Sequence, residues 1–352
     1  QERIADEVHY GAITTLTYRP SDTLTIEGGF DIEQQENDSL RYATIDRVRQ
    51  SQTRNQDFDL TTYGAFVQGV IEPTSWFKLV PAIRVDTIKG DFTDKLANTT
   101  KQINDYDAIW QPKLSAVITP MDGYSLYGNW GRTFQLGVGA GAYYNDGDPV
   151  LEPSLNDGWE IGLKFSPINS LTGRIAYWEQ TASDEVRKVF GPSGDSENIG
   201  ETKRKGIDVQ ASVQISKPLS VWASYSWQEA IIVQPSPNDL DTLGKEIDHT
   251  PNFIFSAGAD YQITPKLASS LTAYAQGDYY VERTNSLTGQ FGDYYWLNLA
   301  FDYQVNKNVS LDLQVKNLTD QDSEYVWHWG AGETRHSPGD DRSIYGAINI
   351  SY

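Results

Sequence analysis

Residues 294–316 read YYWLNLAFDYQVNKNVSLDLQVK. Leu297, Leu299, Phe301, Tyr303 and Val305 alternate with Asn298, Ala300, Asp302 and Gln304. After Asn306 and Lys307 the beat resumes, with Val309, Leu311, Leu313 and Val315 set against Ser310, Asp312, Gln314 and Lys316. Successive side chains of a strand point to opposite faces, so this stretch reads as two strands joined by a tight reversal, each with one apolar and one polar face. The same beat runs through Ile207, Val209, Ala211, Val213 and Ile215 against Asp208, Gln210, Ser212, Gln214 and Ser216. It recurs in Phe77, Leu79, Pro81, Ile83 and Val85 against Lys78, Val80, Ala82, Arg84 and Asp86, and in the last residues, SIYGAINISY (343–352). No segment carries a capped apolar stripe of period 3.6.

Carried along the chain, this template predicts about 15 strands, near 8–19, 22–33, 60–72, 76–87, 109–119, 124–134, 157–166, 170–181, 203–216, 219–229, 251–263, 267–279, 293–305, 308–317 and 342–352. Short turns at Pro20, Pro73, Pro120, Pro167, Pro218, Pro265 and Asn306 carry the residues of tight reversals. Between them fall long polar connections near 34–59, 88–108, 135–156, 182–202, 230–250, 280–292 and 318–341. Seven short and seven long connections alternate, which puts all the short ones at one end of the sheet and all the long ones at the other. A transmembrane β-barrel is built this way, with strands of roughly 9–11 residues, a lipid-facing apolar side and a polar lumen.

Composition fits that reading. The 352 residues contain no cysteine, so a disulfide framework, a cysteine zinc site and a thiol nucleophile are excluded. Lys plus Arg is 28 and Asp plus Glu is 48, a formal charge of −20, which argues against a nucleic-acid partner. Mean hydropathy is −0.51 and no apolar run approaches the ~18 residues of a membrane helix. In a barrel, however, only alternate residues meet lipid, so a negative average hides the membrane face. The first residues, QERIADEVHY, lack the basic start, apolar stretch and cleavage site of a signal peptide. They run straight into a strand, as in a mature chain or a piece of a longer one.

Aromatic residues make up 12% of the chain. Tyr18, Trp76, Phe77, Tyr124, Tyr177, Trp178, Trp222, Tyr225, Trp227, Tyr295, Trp296 and Tyr352 fall toward strand ends, where interfacial girdles belong.

At this point the chain resembles the C-terminal part of a TonB-dependent outer-membrane receptor, most closely the ferric-siderophore receptors. TTYGAFVQGVIEPTSWFKLVPAIRVD (61–86) is similar to the family hairpin ending in a Gly/Ala-x-Arg-x-Asp strand, and WQPKLSAVITPMDGYSLYGNWGRTFQ (110–135) to its proline-lysine strand and the tyrosine-rich strand after it. LEPSLNDGWEIGLKF (151–165), NIGETKRKGIDVQ (198–210) and VSLDLQVKNLTDQDSEY (309–325) follow in family order. The terminal strand resembles the family's assembly signal, with Tyr352 where Phe is usual. The resemblance implies a 22-stranded barrel filled by an N-terminal plug and a TonB box near its start. It also implies that the plug, the box and about seven strands precede Gln1. TonB, outer-membrane lipid and lipopolysaccharide are the implied partners, with long connections extracellular and short turns and C-terminus periplasmic.

Nothing in the sequence points to an enzyme or to a resident cofactor; the implied cargo is an iron chelate. His328 and His336 share one connection with Trp327, Trp329, Glu333 and Asp340, without the set spacing of a metal site. Asn145-Asp-Gly-Asp148 lacks the further ligands of a calcium loop. GVGAGA (137–142) lacks the Lys-Ser/Thr of a phosphate loop. Lys203, Arg204 and Lys205 form a basic cluster suited to a solvated strand end or to lipopolysaccharide phosphate. Ligand sites combine aromatic surface with a few polar anchors, and Arg grips anions in a fork. That logic selects Arg132, Phe134, Tyr143, Tyr144, Tyr279, Tyr280, Arg283, Trp327, Trp329 and Arg335 as cargo-binding candidates. The expected function is active import of a metal chelate, a ferric siderophore first of all. A TonB-dependent receptor for cobalamin, haem, copper or a glycan, or a passive porin, are the alternatives.

Overall fold

A computed structural model describes residues 1–103, 106–136, 151–188, 196–285, 290–330 and 333–351. They are almost entirely strand, with a single three-residue 3-10 turn at Leu240–Thr242 and no α-helix among them. The strands are β1 (Glu2–Ser21), β2 (Leu24–Ile45), β3 (Val48–Thr74), β4 (Phe77–Asp94), β5 (Thr99–Gln102), β6 (Tyr106–Met121), β7 (Tyr124–Gln135) and β8 (Ser154–Ile168). They continue with β9 (Leu171–Ser183), β10 (Val186–Lys188), β11 (Ser196–Asn198), β12 (Gly200–Ser216), β13 (Leu219–Pro235), β14 (Phe253–Thr264), β15 (Leu267–Gln276) and β16 (Tyr294–Asn306). The last four are β17 (Val309–Lys316), β18 (Glu324–Gly330), β19 (Glu333–Pro338) and β20 (Ser343–Ile350).

Fifteen of them follow one hydrogen-bonded order, β1-β2-β3-β4-β6-β7-β8-β9-β12-β13-β14-β15-β16-β17-β20, with β5 paired to β4 off the path. These are the fifteen strands expected from the period-two pattern. β1 to β4, β13 to β17, and β17 with β20 pair antiparallel, and the order follows the sequence except that it passes over β5 and the small hairpins β10–β11 and β18–β19. β1 and β20 stand at the two ends of the order.

Two expectations need correction. Residues 34–59 are not a loop: β2 and β3 run through them in register, Gln34 opposite Thr61 out to Ile45 opposite Val48. Most of 88–108 likewise belongs to β4, β5 and β6. The polar composition of these stretches suggested loop, but strands that leave the bilayer have no need of an apolar face. The reversal between β2 and β3 is the two-residue turn Asp46-Arg47, both at positive φ (47° and 65°), a hairpin geometry without the usual glycine.

The chain forms two compact units. The first comprises 1–116, 129–157 and 182–200. Its core is Leu60, Ile88, Ile103, Tyr106 and Ile109, with Phe134, Leu136 and Leu155 packed against it. Directly below in register, Arg84 lies on the polar face and donates to Asp31 (2.7 and 2.9 Å) and to Asp86 (2.8 Å from Nε), while Gln111 donates to Asp86. Three strands, β2, β4 and β6, are riveted by this group. Gly64 sits under it, and a Cβ there would collide with the Arg84 guanidinium and the Asp31 carboxylate.

The second unit comprises 117–128, 158–181 and 201–352. Its polar face carries Arg174, which donates to the Tyr127 hydroxyl (2.6 Å) and to Glu160 (2.7 Å). On the opposite face Ile161, Ile175, Ile215, Leu311, Leu313, Ile344, Ile348 and Ile350 are exposed, on five different strands. Burial of these side chains calls for an apolar medium outside the sheet.

Candidate ligand-binding site

In the second unit three long connections share one end of the sheet: 236–252 after β13, 277–293 after β15 and 317–342 after β17. Immediately beneath them lies an aromatic stack. Tyr274 on β15 faces Trp296 on β16 in register, the rings 4.7 Å apart and within 17° of parallel. Tyr294 stacks on Trp296 at 5.0 Å and 15°. Both tyrosine hydroxyls donate to Gln276 Oε1, at 3.0 and 3.1 Å. Trp296 shares its face with Asn298 and Asp302, so the stack belongs to the polar face. Offset-stacked rings form a flat, rigid, amphipathic surface.

Above the stack the connections pack on one another. Tyr279, Val281 and Val326 are almost wholly buried, with Phe291 against them. The Tyr279 hydroxyl accepts from Val326 N (3.0 Å) and donates to Val326 O (3.2 Å). Burial pushes the Tyr279 phenol above its ordinary pKa, which keeps the proton that this bond needs. His249 stacks near both Tyr279 (5.5 Å) and Tyr325 (5.6 Å), and Tyr325 near Trp327 (5.7 Å). A cavity of about 570 Å³ opens between the second and third connections. Phe291, Tyr294 and Pro338 supply its apolar lining, and Asp293, Asp322, Glu324 and Asp341 its carboxylates.

The cargo candidates read from the sequence fall in different places. Tyr279, Tyr280, Arg283, Trp327 and Arg335 come together in the connections of the second unit. Arg283 Nη1 donates to Asp239 Oδ2 at 3.1 Å, and the Tyr280 carbonyl accepts from His249 N at 2.8 Å. Arg335 pairs in register with Trp327 and lies 3.7 Å from Glu333. Phe134 packs against the core of the first unit instead. Arg132 forks onto Asp157 at 2.9 and 2.8 Å. Tyr143 and Tyr144 lie outside the described residues, as do Gly137 to Ala142, Asn145 to Asp148 and Tyr352; the side chain of Trp329 does too.

Tyr274, Tyr294 and Gln276 were missed, and Trp296 was placed in the girdle. Parity held the signal: 294 and 296 beat with Asn298 and Asp302, not with Leu297 and Phe301. The same correction applies to Trp178, whose ring covers Gly206, and to Trp222, whose ring covers Gly258, both on the polar face. Trp159 and Tyr177, rings 5.5 Å apart, and Tyr225 with Phe253 at 6.1 Å are true outer-face pairs.

Lys203 and Lys205 are each paired, with Glu179 at 2.8 Å and Glu229 at 3.2 Å. His336 Nδ1 lies 2.8 Å from Glu324. Among the described residues no group of three or more His, Asp or Glu side chains is arranged to hold a metal ion.

The family model of the TonB dependent receptor-like β-barrel matches residues 6–318. The ferrichrome outer membrane transporter/phage receptor of Escherichia coli is 23% identical over 290 residues, which is 76% of this chain and 36% of that protein. A probable TonB-dependent siderophore receptor, PiuA, of Acinetobacter baumannii is 21% identical over 319 residues, 84% of this chain and 42% of that protein. The chain thus spans about a third to two fifths of the length of these relatives. Among solved structures, the siderophore receptor PiuA from Acinetobacter baumannii superposes with a TM-score of 0.83 at 16% identity, over 99% of this chain and 56% of that one. The ferric citrate transporter FecA gives 0.80 at 17% identity, over 99% and 56%. At such identities the structures speak to the fold.

Proposed function

The chain belongs to the TonB-dependent receptor β-barrel family, and on that premise we propose that the complete protein is an outer-membrane receptor importing a metal chelate, a ferric siderophore first of all. In this reading the strands form barrel wall, their apolar face in lipid and their polar face toward the lumen. The long connections are extracellular, and the short turns are periplasmic. An N-terminal plug and TonB box precede the present sequence, and TonB supplies the energy for import. The wall itself performs no bond chemistry and is not an enzyme.

The observation that carries the proposal is the polar-face stack of Tyr274, Tyr294 and Trp296 beneath the long connections, with the 570 Å³ cavity opening at Tyr294. A chelate presents flat or apolar ligand arms around its metal, and stacked rings with one amide and a few carboxylates suit such a surface. The carboxylates of Asp293, Asp322, Glu324 and Asp341 favour a neutral or cationic chelate over a strongly anionic one. Lys203 and Lys205, paired with Glu179 and Glu229 near the long-connection ends of their strands, are the residues by which lipopolysaccharide is the proposed neighbour.

The test is uptake by cells expressing the full-length gene under iron limitation, with radiolabelled ferric trihydroxamate, ferric catecholate, haem, cobalamin and copper offered separately. TonB-dependent uptake of one ferric chelate is the expected result. Uptake of cobalamin, haem or copper alone would reassign the cargo, and diffusion of small solutes without TonB would make the protein a porin.

A further inference from the structure

We propose that Tyr279 couples the three long connections of the second unit into one mechanical body, so that loosening any one of them loosens the others. The inference does not depend on what the cargo is. It begins with the position of Tyr279. This residue lies in the second connection and is 3% exposed. Its backbone pairs with Phe291 in the same connection (2.7 and 3.0 Å). Its hydroxyl makes both hydrogen bonds to the peptide groups of Val326, in β18 of the third connection, and Val326 is fully buried. Its ring lies against His249 of the first connection and Tyr325 of the third. One side chain thus touches all three.

The links around it form a closed circuit. Between the first and second connections, besides the His249–Tyr279 ring contact, run three hydrogen-bonded links: His249 N donates to the Tyr280 carbonyl (2.8 Å), Arg283 donates to Asp239 (3.1 Å), and Asn285 exchanges bonds with the Glu246 backbone (2.8 and 3.0 Å). Between the second and third runs the Tyr279–Val326 pair, joined by the edge contact of Phe291 with His336 at 5.8 Å. Between the first and third, the rings of His249 and Tyr325 meet. Long surface connections ordinarily open independently and at low free energy. Here the peptide of Val326 is buried and its partner is a phenol on a different connection. Opening the third connection therefore breaks both bonds and leaves the buried Tyr279 hydroxyl without a partner, or carries Tyr279 with it.

Hydrogen exchange on the cargo-free, full-length protein tests this, with two variants. Tyr279→Phe keeps the ring and removes both bonds to Val326. Asn285→Gly keeps the left-handed backbone at that position (φ 53°) and removes the bonds to Glu246 in the first connection and to the Glu282 carbonyl in the second, none of which reaches the third. We expect Tyr279→Phe to speed exchange about thirtyfold in 324–328, the size of two net hydrogen bonds, and also to speed it in 245–250. Asn285→Gly should speed exchange in 324–328, a segment that Asn285 does not touch. Heat-modifiable migration in both variants reports that the barrel has assembled. If Asn285→Gly leaves 324–328 unchanged, or if the effect of Tyr279→Phe stops within 324–328, the connections move separately and the proposal is wrong. Should Tyr279→Phe fail to assemble, Asn285→Gly alone decides. Loss of chelate uptake bears on the cargo reading and leaves this test untouched.

Discussion

Single residues here are explained by which face of a strand they occupy. At Gly64 a side chain would meet the Arg84 guanidinium and the Asp31 carboxylate; Gly64→Ala should destabilise the barrel by about 1–3 kcal/mol, the cost of overpacking, read as a lower temperature of heat-modifiable unfolding. An unchanged unfolding temperature would mean that the rivet rearranges freely. Trp296 is explained in the same way. On the polar face it offers a flat surface rather than an interfacial anchor, so Trp296→Leu should weaken chelate binding about tenfold while leaving assembly intact, as titration of the purified receptor would report. Parity made both positions legible in principle. The polar face of β16 was read correctly from Asn298, Ala300, Asp302 and Gln304, yet position 296 was assigned by its residue type and its nearness to a strand end. The packing of Phe134 was not legible, because the cluster it joins, with Leu60, Ile88 and Ile103, is drawn from segments distant in sequence.

At the scale of elements, the hairpin of β2 and β3 is the main departure from the sequence reading. A strand crosses a membrane in about 9–11 residues. β3 has 27, so about 16 residues, or ~50 Å, extend past the bilayer. Loop and exposed strand share a polar composition there, and only pairing distinguishes them. The reversal at Asp46-Arg47 holds two non-glycine residues in the left-handed region. Replacing the pair with Asn-Gly should stabilise the tip by about 1 kcal/mol, seen as slower exchange in 40–53. The tip is clasped by Arg49, which donates to Glu2 at 2.7 Å and lies 4.2 Å over the Tyr42 ring. The bond from Arg49 holds the Glu2 carboxyl below its ordinary pKa. A carboxylate lowered on folding contributes above its unfolded pKa, about 4.3, and the contribution is lost as pH falls through the lowered value. A spin label at position 50 should therefore sharpen on acidification below pH ~4, and Glu2→Gln should make the line shape insensitive to pH. A wild-type spectrum that stays constant to pH 3 would remove Glu2 from the clasp.

For the whole molecule, period two and the alternation of short with long connections already gave the fold class and all fifteen strands of the main sheet. What they could not give is the packing among connections, since Tyr279, His249 and Val326 meet only when three separated segments fold over one another. The central claim is that one face of these strands meets lipid and the other does not. The chain has no cysteine, so single cysteines can be placed along β16 from 297 to 302 in the full-length protein in bilayers and spin-labelled. Collision with lipid-soluble oxygen should be high at 297, 299 and 301 and low at 298, 300 and 302. A flat profile, or one with the even positions in lipid, would contradict a membrane-spanning wall.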